Sequence, residues 1–249
     1  RSDIRAAHAE AKKQLLAEVQ LRTGKELNPD VFTIGFARRA TGYKRAALFF
    51  SDLERLRRIV RSGRRMQVVL AGLAHPNDVS GQDMIRAVFR AARELGDELP
   101  VVYMEGYNMA LARFMVSGVD LWLNTPLKPH EASGTSGMKA ALNGVPSFSV
   151  VDGWWYEGLL EGITGWGIGP VGRDGESDEQ LERADIYDKL ENTILPLFYD
   201  DPDGYAAVMR HAIALNGSFF NAQRMLEQYV TSAYHLAREA ARTDDFRMG

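Results

Sequence analysis

The sequence contains no cysteine in its 249 residues, which excludes disulfides and thiolate metal sites and suits a cytoplasmic protein. It has no uninterrupted apolar run near the ~20 residues that span a bilayer, so no membrane partner is expected. Charge of one sign is also missing: a quarter of the residues are charged, yet the net charge is only −3. No basic face is advertised, and nucleic acid is not an expected partner. None of the five histidines stands at ligand spacing with another, so no metal is expected. Residues 1–21 are charged and alanine-rich, without the apolar core of a signal peptide. The chain begins without Met inside a helical pattern, which reads as a cut or incomplete polypeptide.

What is present is a 45% hydrophobic composition, enough for a sizeable core. Residues 4–22 carry apolar side chains at helical spacing, and Asn28-Pro29-Asp30 marks a turn. From there strands and helices alternate. Strands are expected at 31–37 (VFTIGFA), 66–71 (MQVVLA), 101–104, 120–123 and 147–151. Helices are expected at 44–60, 84–95 (with Ser80 as the capping candidate), 109–116 and from about 136. After Gly172 the pattern is helical at 178–199, 204–215 and 221–240. Near-continuous apolar strands separated by amphipathic helices indicate an α/β fold, a doubly wound Rossmann-like parallel sheet covered on both faces. Ligands bind such a sheet at the carboxyl ends of its strands. No internal repeat breaks the chain. The expected organisation is an N-terminal helix and connection (1–30), a Rossmann-like domain (31–172) and C-terminal helices packed on it (173–249).

Three loops after predicted strands are richer in polar residues and glycine than a turn requires. The first, 38–45 (RRATGYKR), holds four cations in eight residues at an expected helix start. Cations are unfavourable there unless an anion sits among them, and phosphate is the commonest such anion; a solvated basic turn is the bland reading. The second, 105–109 (EGYNM), offers Tyr107 either as one wall of a planar ligand site or as a core tyrosine beside a turn. The third, 131–144 (EASGTSGMKAALNG), is the informative one. Gly134, Thr135, Ser136 and Gly137 place N–H groups and hydroxyls where a helix begins, an anion cradle. Lys139 follows one turn later among Ala140, Ala141 and Leu142. An amine against apolar neighbours and near other cations is favoured in its neutral form, which carbonyl addition requires. A P-loop lysine is the alternative, but GxxxxGK[ST] is absent.

These segments resemble a known family. EASGTSGMKAALNG is similar to the cofactor-lysine segment of the glycogen and maltodextrin α-glucan phosphorylases, GFARRATGYKRA to their substrate-phosphate loop, and EGYNMALAR to the strand end packed on the cofactor ring. The resemblance runs from about residue 31 into the C-terminal helices and is nearer the bacterial and archaeal enzymes than the muscle type. It implies the C-terminal domain of a two-domain GT-B fold, and pyridoxal phosphate held by Lys139 as a Schiff base. Gly134, Thr135 and Gly137, with Arg38 and Lys44, would bind the cofactor phosphate, and Tyr107 would flank its ring. Arg39 would bind inorganic phosphate, Lys44 being shared, and Glu131, Ser133 and Gly134 would meet the glucosyl hydroxyls. Lys139, Arg39 and Lys44 form the implied catalytic set.

The implied reaction is phosphorolysis of terminal α-1,4 glucosyl units of glycogen or maltodextrin to glucose 1-phosphate. The partners it implies are the glucan, inorganic phosphate, an N-terminal half of the same polypeptide, and a second subunit in the full-length protein. Without that half, little cofactor binding or turnover is expected. Departures from the muscle-type pattern are Arg38 for lysine, Thr41-Gly42 for His-Glu, Asn108 for arginine and Ser136-Gly137 for Gly-Asn; they bear on regulation and substrate preference. Two rivals remain: an inactive truncated domain, and a glycogen/starch synthase-type glycosyltransferase. The latter carries two glutamates eight positions apart here; this chain has Glu131 but Lys139. Trp154 and Trp155 are expected to pack a core or domain interface rather than stack a sugar, Trp166 to pack within a loop, and His130 to line the sugar pocket. The basic run 55–65 reads as a solvated helix face.

Overall fold

Strands buried on both faces are near-continuously apolar, and the five such runs of the sequence all become parallel strands. The computed structural model describes residues 2–171 and 177–234. Its sheet comprises β1 (Phe32–Ala37), β2 (Met66–Ala71), β3 (Val101–Met104), β4 (Leu121–Asn124), β5 (Ser147–Val150) and β6 (Gly165–Ile168), in the order β3-β2-β1-β4-β5-β6. All neighbours are parallel, with β1 in register from Phe32↔Met66 to Ala37↔Ala71 and, on its other side, Ile34↔Leu121. The order reverses between β1 and β4, so the loops leaving them diverge and open a crevice at their carboxyl ends.

The helices are α1 (Ser2–Thr23), α2 (Leu53–Arg61), α3 (Val79–Leu95), α4 (Met109–Gly118), α5 (Thr135–Leu142), the single turn α6 (Trp155–Gly158), α7 (Glu179–Lys189), α8 (Leu195–Asp200), α9 (Pro202–His211) and α10 (Ala222–Gln228). Alternate strand residues feed two cores. Ile34, Phe36, Val68 and Leu70 pack with Leu56, Ile59, Ile186 and Met209. Ala37, Val69, Val102 and Trp122 pack with Leu15, Val19, Leu111 and Met115. Among the described residues no helix is long and apolar enough to cross a membrane.

The first helix is fastened by charge as well as by packing. Asp120, buried at the start of β4, accepts from Lys12 Nζ at 2.6 Å, His8 Nε2 at 2.9 Å and the Thr33 amide at 2.7 Å. Burial would raise its carboxyl, but Lys12 and His8 outweigh that and hold it below the ordinary aspartate range.

Several elements differ from expectation. Residues 44–60 are not one helix: two 3-10 turns, Gly42–Lys44 and Ala46–Phe50, precede α2. The break is Arg45, left-handed at φ 44°. Its guanidinium donates to the Thr125 and Pro126 carbonyls at 3.1 and 2.7 Å and pairs with buried Glu182 at 2.6 Å. These contacts over-determine a conformation disfavoured for a residue with a Cβ. The cation-rich loop therefore opens no α-helix, and α2 begins only where Asp52 caps it by accepting from the Arg55 amide. Helix α3 is capped by Asp78, which accepts from the Gly81 amide, rather than by Ser80.

Trp166 packs as expected but lies in a strand, β6, not a loop; four glycine-rich residues carry no alternation to announce it. The stretch 178–199 is interrupted by a π turn, Leu190–Ile194, before Pro196. The basic run is paired rather than merely solvated: Arg55 meets Asp188 and Glu191, Arg57 and Arg61 meet Glu98, and Arg64 meets Asp200. Such exposed pairs each contribute at most about 1 kcal/mol. The expected boundary at 172–173 and the helical stretch beyond 234 lie outside the described residues.

Candidate functional site

The crevice at the switch point is built by the loops leaving β1, β3, β4 and β5. Beyond β1 the ladder runs one step further, Arg38 N donating to Ala71 O at 3.1 Å and Ala40 N to Leu73 O at 3.0 Å. This close approach requires glycine at 72, where a Cβ would meet the Arg38 carbonyl oxygen. The Arg38 side chain then turns over the sheet end. Its Nη2 donates to both Glu131 oxygens at 2.6 Å, and its Nη1 to Asn124 Oδ1 at the end of β4. Asn124 in turn donates to Ser149 Oγ at 3.1 Å. From the other side Lys44 Nζ donates to Glu131 Oε2 at 2.8 Å and lies 4.3 Å from the Tyr43 ring centre.

Arg38, Lys44 and Glu131 are each at least nine-tenths buried at the side chain. Burial would raise the Glu131 carboxyl, but the hydrogen bonds from Lys44 and Arg38 prevail and hold it below the usual carboxylate range. The cluster is thus one carboxylate between two cations, with a positive charge in excess. Tyr107 joins it: burial raises its phenol, and the nearby Arg38 charge opposes the rise. Its ring is partly buried against the Met104–Leu111 cluster.

The loop after β4 leads into α5, and here the capping chemistry changes. Asp52, Asp78, Asn108, Asp178, Asp201 and Asn221 cap α2, α3, α4, α7, α9 and α10 with side-chain oxygens. At α5 the cap is Gly134, at φ +86°, with no side-chain acceptor. The first amides of α5 therefore have no side-chain cap, and the exposed Thr135 opens the helix, an arrangement suited to an anion. Gly137 plays a different part from the one its sequence position suggests. Its N–H turns back to Gly134 O at 3.2 Å, and a Cβ on it would come within 2.9 Å of the Trp154 ring. Gly137→Ala should therefore cost about 1–3 kcal/mol by overpacking, more than the ~1 kcal/mol of helix propensity it gains; a lowered thermal midpoint with altered tryptophan fluorescence is the expected readout.

Two expected site residues stand apart. Arg39 and Lys139 are exposed, and among the described residues neither side chain has an ion-pair or hydrogen-bond partner. For Lys139 this corrects the expectation of an apolar surround: the helical period turns Gly137, Ala140 and Ala141 inward and leaves Lys139 outward. Ser133 and Gly134 lie half-buried in the loop between the Glu131 cluster and α5. Trp154 and Trp155 are buried packing residues, as expected, with Trp154 edge-on to Phe220 at 5.1 Å. His130 is exposed, its ring 6.1 Å from that of Tyr43.

Sequence reasoning missed Asn124, Ser149 and Asp152. Asn124 was detectable as a polar residue at the carboxyl end of an otherwise apolar strand. Among the described residues no group of three His, Asp or Glu side chains could hold a metal ion. A cavity of about 540 Å³ lined by Thr23, Leu27, Phe89, Arg93 and Tyr103 runs along β3, away from this crevice.

Comparison with known proteins gives a consistent result. The family described as carbohydrate phosphorylase matches residues 1–157. Glycogen phosphorylase of Aquifex aeolicus is 41% identical over 236 residues, covering 92% of this chain and 34% of the relative. Maltodextrin phosphorylase of Thermococcus litoralis is 40% identical over 215 residues, covering 85% of the chain and 26% of the relative. Glycogen phosphorylase of Mycobacterium tuberculosis is 38% identical over 225 residues, with 86% and 26% covered. The chain spans about a third or less of the length of these relatives.

Proposed function

This chain belongs to the carbohydrate phosphorylase family, and on that premise we propose that it carries the cofactor and phosphate side of an α-glucan phosphorylase. The reaction is transfer of a terminal α-1,4-linked glucosyl unit of glycogen or maltodextrin to inorganic phosphate, giving glucose 1-phosphate. The observation that supports this reading best is the buried Arg38–Glu131–Lys44 cluster beside α5, whose N-cap Gly134 brings no side-chain acceptor and whose Lys139 has no partner among the described residues.

The residues fit pyridoxal phosphate. A phosphate needs N–H donors and cations, which Gly134, Thr135, Arg38 and Lys44 offer; an aldehyde needs an amine, and Lys139 is free; a planar ring needs a wall, and Tyr107 is partly buried nearby. Gly137 serves this set by letting α5 approach Trp154 closely rather than by donating. Bound there, pyridoxal phosphate would supply its 5′-phosphate as a proton-handling group next to the substrate phosphate.

The chain's own residues do the rest. Arg39, exposed and without an anion partner among the described residues, is available to inorganic phosphate, with Lys44 between the two anions. Glu131, kept ionised by its neighbours, is an acceptor-only group suited to glucosyl hydroxyls, joined by Ser133 and Gly134. Cations already fixed in place stabilise developing charge without reorganising during reaction.

The test is spectroscopic. Adding pyridoxal phosphate to the complete polypeptide should produce an absorbance band whose borohydride reduction leaves a pyridoxyl group on Lys139, and Lys139→Ala should lose both. Identical spectra for the two proteins would overturn the cofactor assignment.

A further inference from the structure

We propose that Asp152, just beyond β5, is a positioning residue for the glucosyl-binding segment 131–134, an inference that rests on the function proposed above. That segment belongs to neither helix nor strand, so no backbone ladder holds it. Yet its carboxylate must stay between Arg38 and Lys44 while Ser133 and Gly134 face the crevice. The turn 152–154 supplies the missing support through three contacts. Asp152 Oδ2 accepts from the Glu131 amide at 2.8 Å, while Oδ1 accepts from the Gly153 amide at 2.9 Å. The Trp154 amide donates to Ser133 O at 2.9 Å. Between them Gly153, at φ +58°, lies so close that a Cβ would fall 2.6 Å from Ser133 O and 2.8 Å from Glu131 O.

Among the described residues, Asp152 is the side chain that bonds the backbone of this segment, and it is 4% exposed. Both its oxygens face N–H donors, so a carboxylate fits and an amide does not. Asparagine offers one acceptor oxygen and sets its NH₂ against the other amide. A buried, mismatched donor is relieved by moving the segment, which swings Glu131 and Ser133 off their line. The amides of α5 beyond Gly134, and Lys139, are anchored separately by the helix and its packing on Trp154, and keep their places.

The experiment compares Asp152→Asn with the unmutated complete holoenzyme, using glucose 1-phosphate binding by calorimetry, cofactor content, thermal midpoint, and kcat and KM of phosphorolysis. Glucose 1-phosphate should bind about tenfold more weakly, equivalent to about 1.4 kcal/mol, and kcat/KM should fall by at least that factor. Cofactor content should stay near the unmutated value, while the thermal midpoint falls with the cost of a buried unmatched donor. Gly153→Ala, which pushes the same segment from its carbonyl side with Asp152 intact, should reproduce the loss of affinity with cofactor retained, at a larger cost in thermal midpoint because a Cβ at this left-handed position meets backbone oxygens. It carries the test if Asp152→Asn does not fold. Unchanged affinity in both variants overturns the proposal. So does loss of cofactor in parallel with affinity, which would make the turn a general structural support. An unmutated holoenzyme that binds neither glucose 1-phosphate nor glucan would instead overturn the proposed function, and this inference with it, before any variant is compared.

Discussion

Replacing Asp120 by alanine should lower the free energy of unfolding by about 3–5 kcal/mol, the cost of leaving a buried charge without its partner. Lys12 Nζ would keep only the Val31 carbonyl, at 2.8 Å, as a protein acceptor. The Thr33 amide and His8 would lose theirs together. The effect should reach beyond α1, because the Asp120 backbone carbonyl also accepts from the buried Tyr205 hydroxyl of α9 at 2.7 Å. Removing the charge and its partner together, as in Lys12→Met with Asp120→Leu, should recover much of the loss.

The pH dependence has a definite sign. A carboxyl held below its ordinary value, about 3.8 for aspartate, contributes stability that is complete above that value. The contribution is lost as pH falls through the lower folded one. Asp120→Ala should lack this acid limb. Urea denaturation at neutral pH and at pH 3 measures both effects, and a loss under about 1 kcal/mol at neutral pH would refute the assignment.

Glu131→Gln should show the second large effect. Glutamine offers one acceptor oxygen where the carboxylate uses two, sets its NH₂ against a cation and carries no charge, so Arg38 and Lys44 remain buried with no counter-charge. A cost of about 3 kcal/mol follows, at the low end for breaking such a pair. The same change makes the site more attractive to anions, so inorganic phosphate should restore stability progressively, by about 2.7 kcal/mol at a hundred times its Kd. Phosphate should stabilise the unmutated protein less, since Glu131 competes for the same cations. Thermal melts across a phosphate series measure this. A variant that phosphate leaves unchanged would mean that the two cations serve structure alone. Glu131 also contributes to the acid limb with the sign given for Asp120, its stabilisation fading as pH falls below the ordinary glutamate value of about 4.5.

By itself the sequence determined five of the six strands and pointed to the loops that form the candidate site. Residues 32–37, 66–71 and 101–104 are largely apolar because both their faces are covered, and that requirement is written in nearly consecutive positions, with Thr33 and Gln67 as the buried polar exceptions. Polar and glycine-rich loops directly after those strands marked the crevice for a general reason: in a doubly wound sheet ligands meet the strand ends. What only the tertiary structure decided are the partnerships. The sequence places Arg38 and Lys44 in one loop as two cations awaiting an anion; the fold gives them Glu131, 93 and 87 residues away. It likewise joins Lys12 to Asp120 across 108 residues, and Asp152 to the Glu131 amide across 21. Arg45 breaks an apolar periodicity that reads as one helix, because carbonyls at 125 and 126 and a carboxylate at 182 hold it left-handed. Lys139 faces outward though its sequence neighbours are apolar, since three residues of α5 turn toward the sheet and it falls between them. The physical reason is common to all of these. Periodicity records whether a position is buried, which is a local property of an element. The choice of charge partner depends on which elements the topology brings together, and no window of sequence contains both halves of that contact.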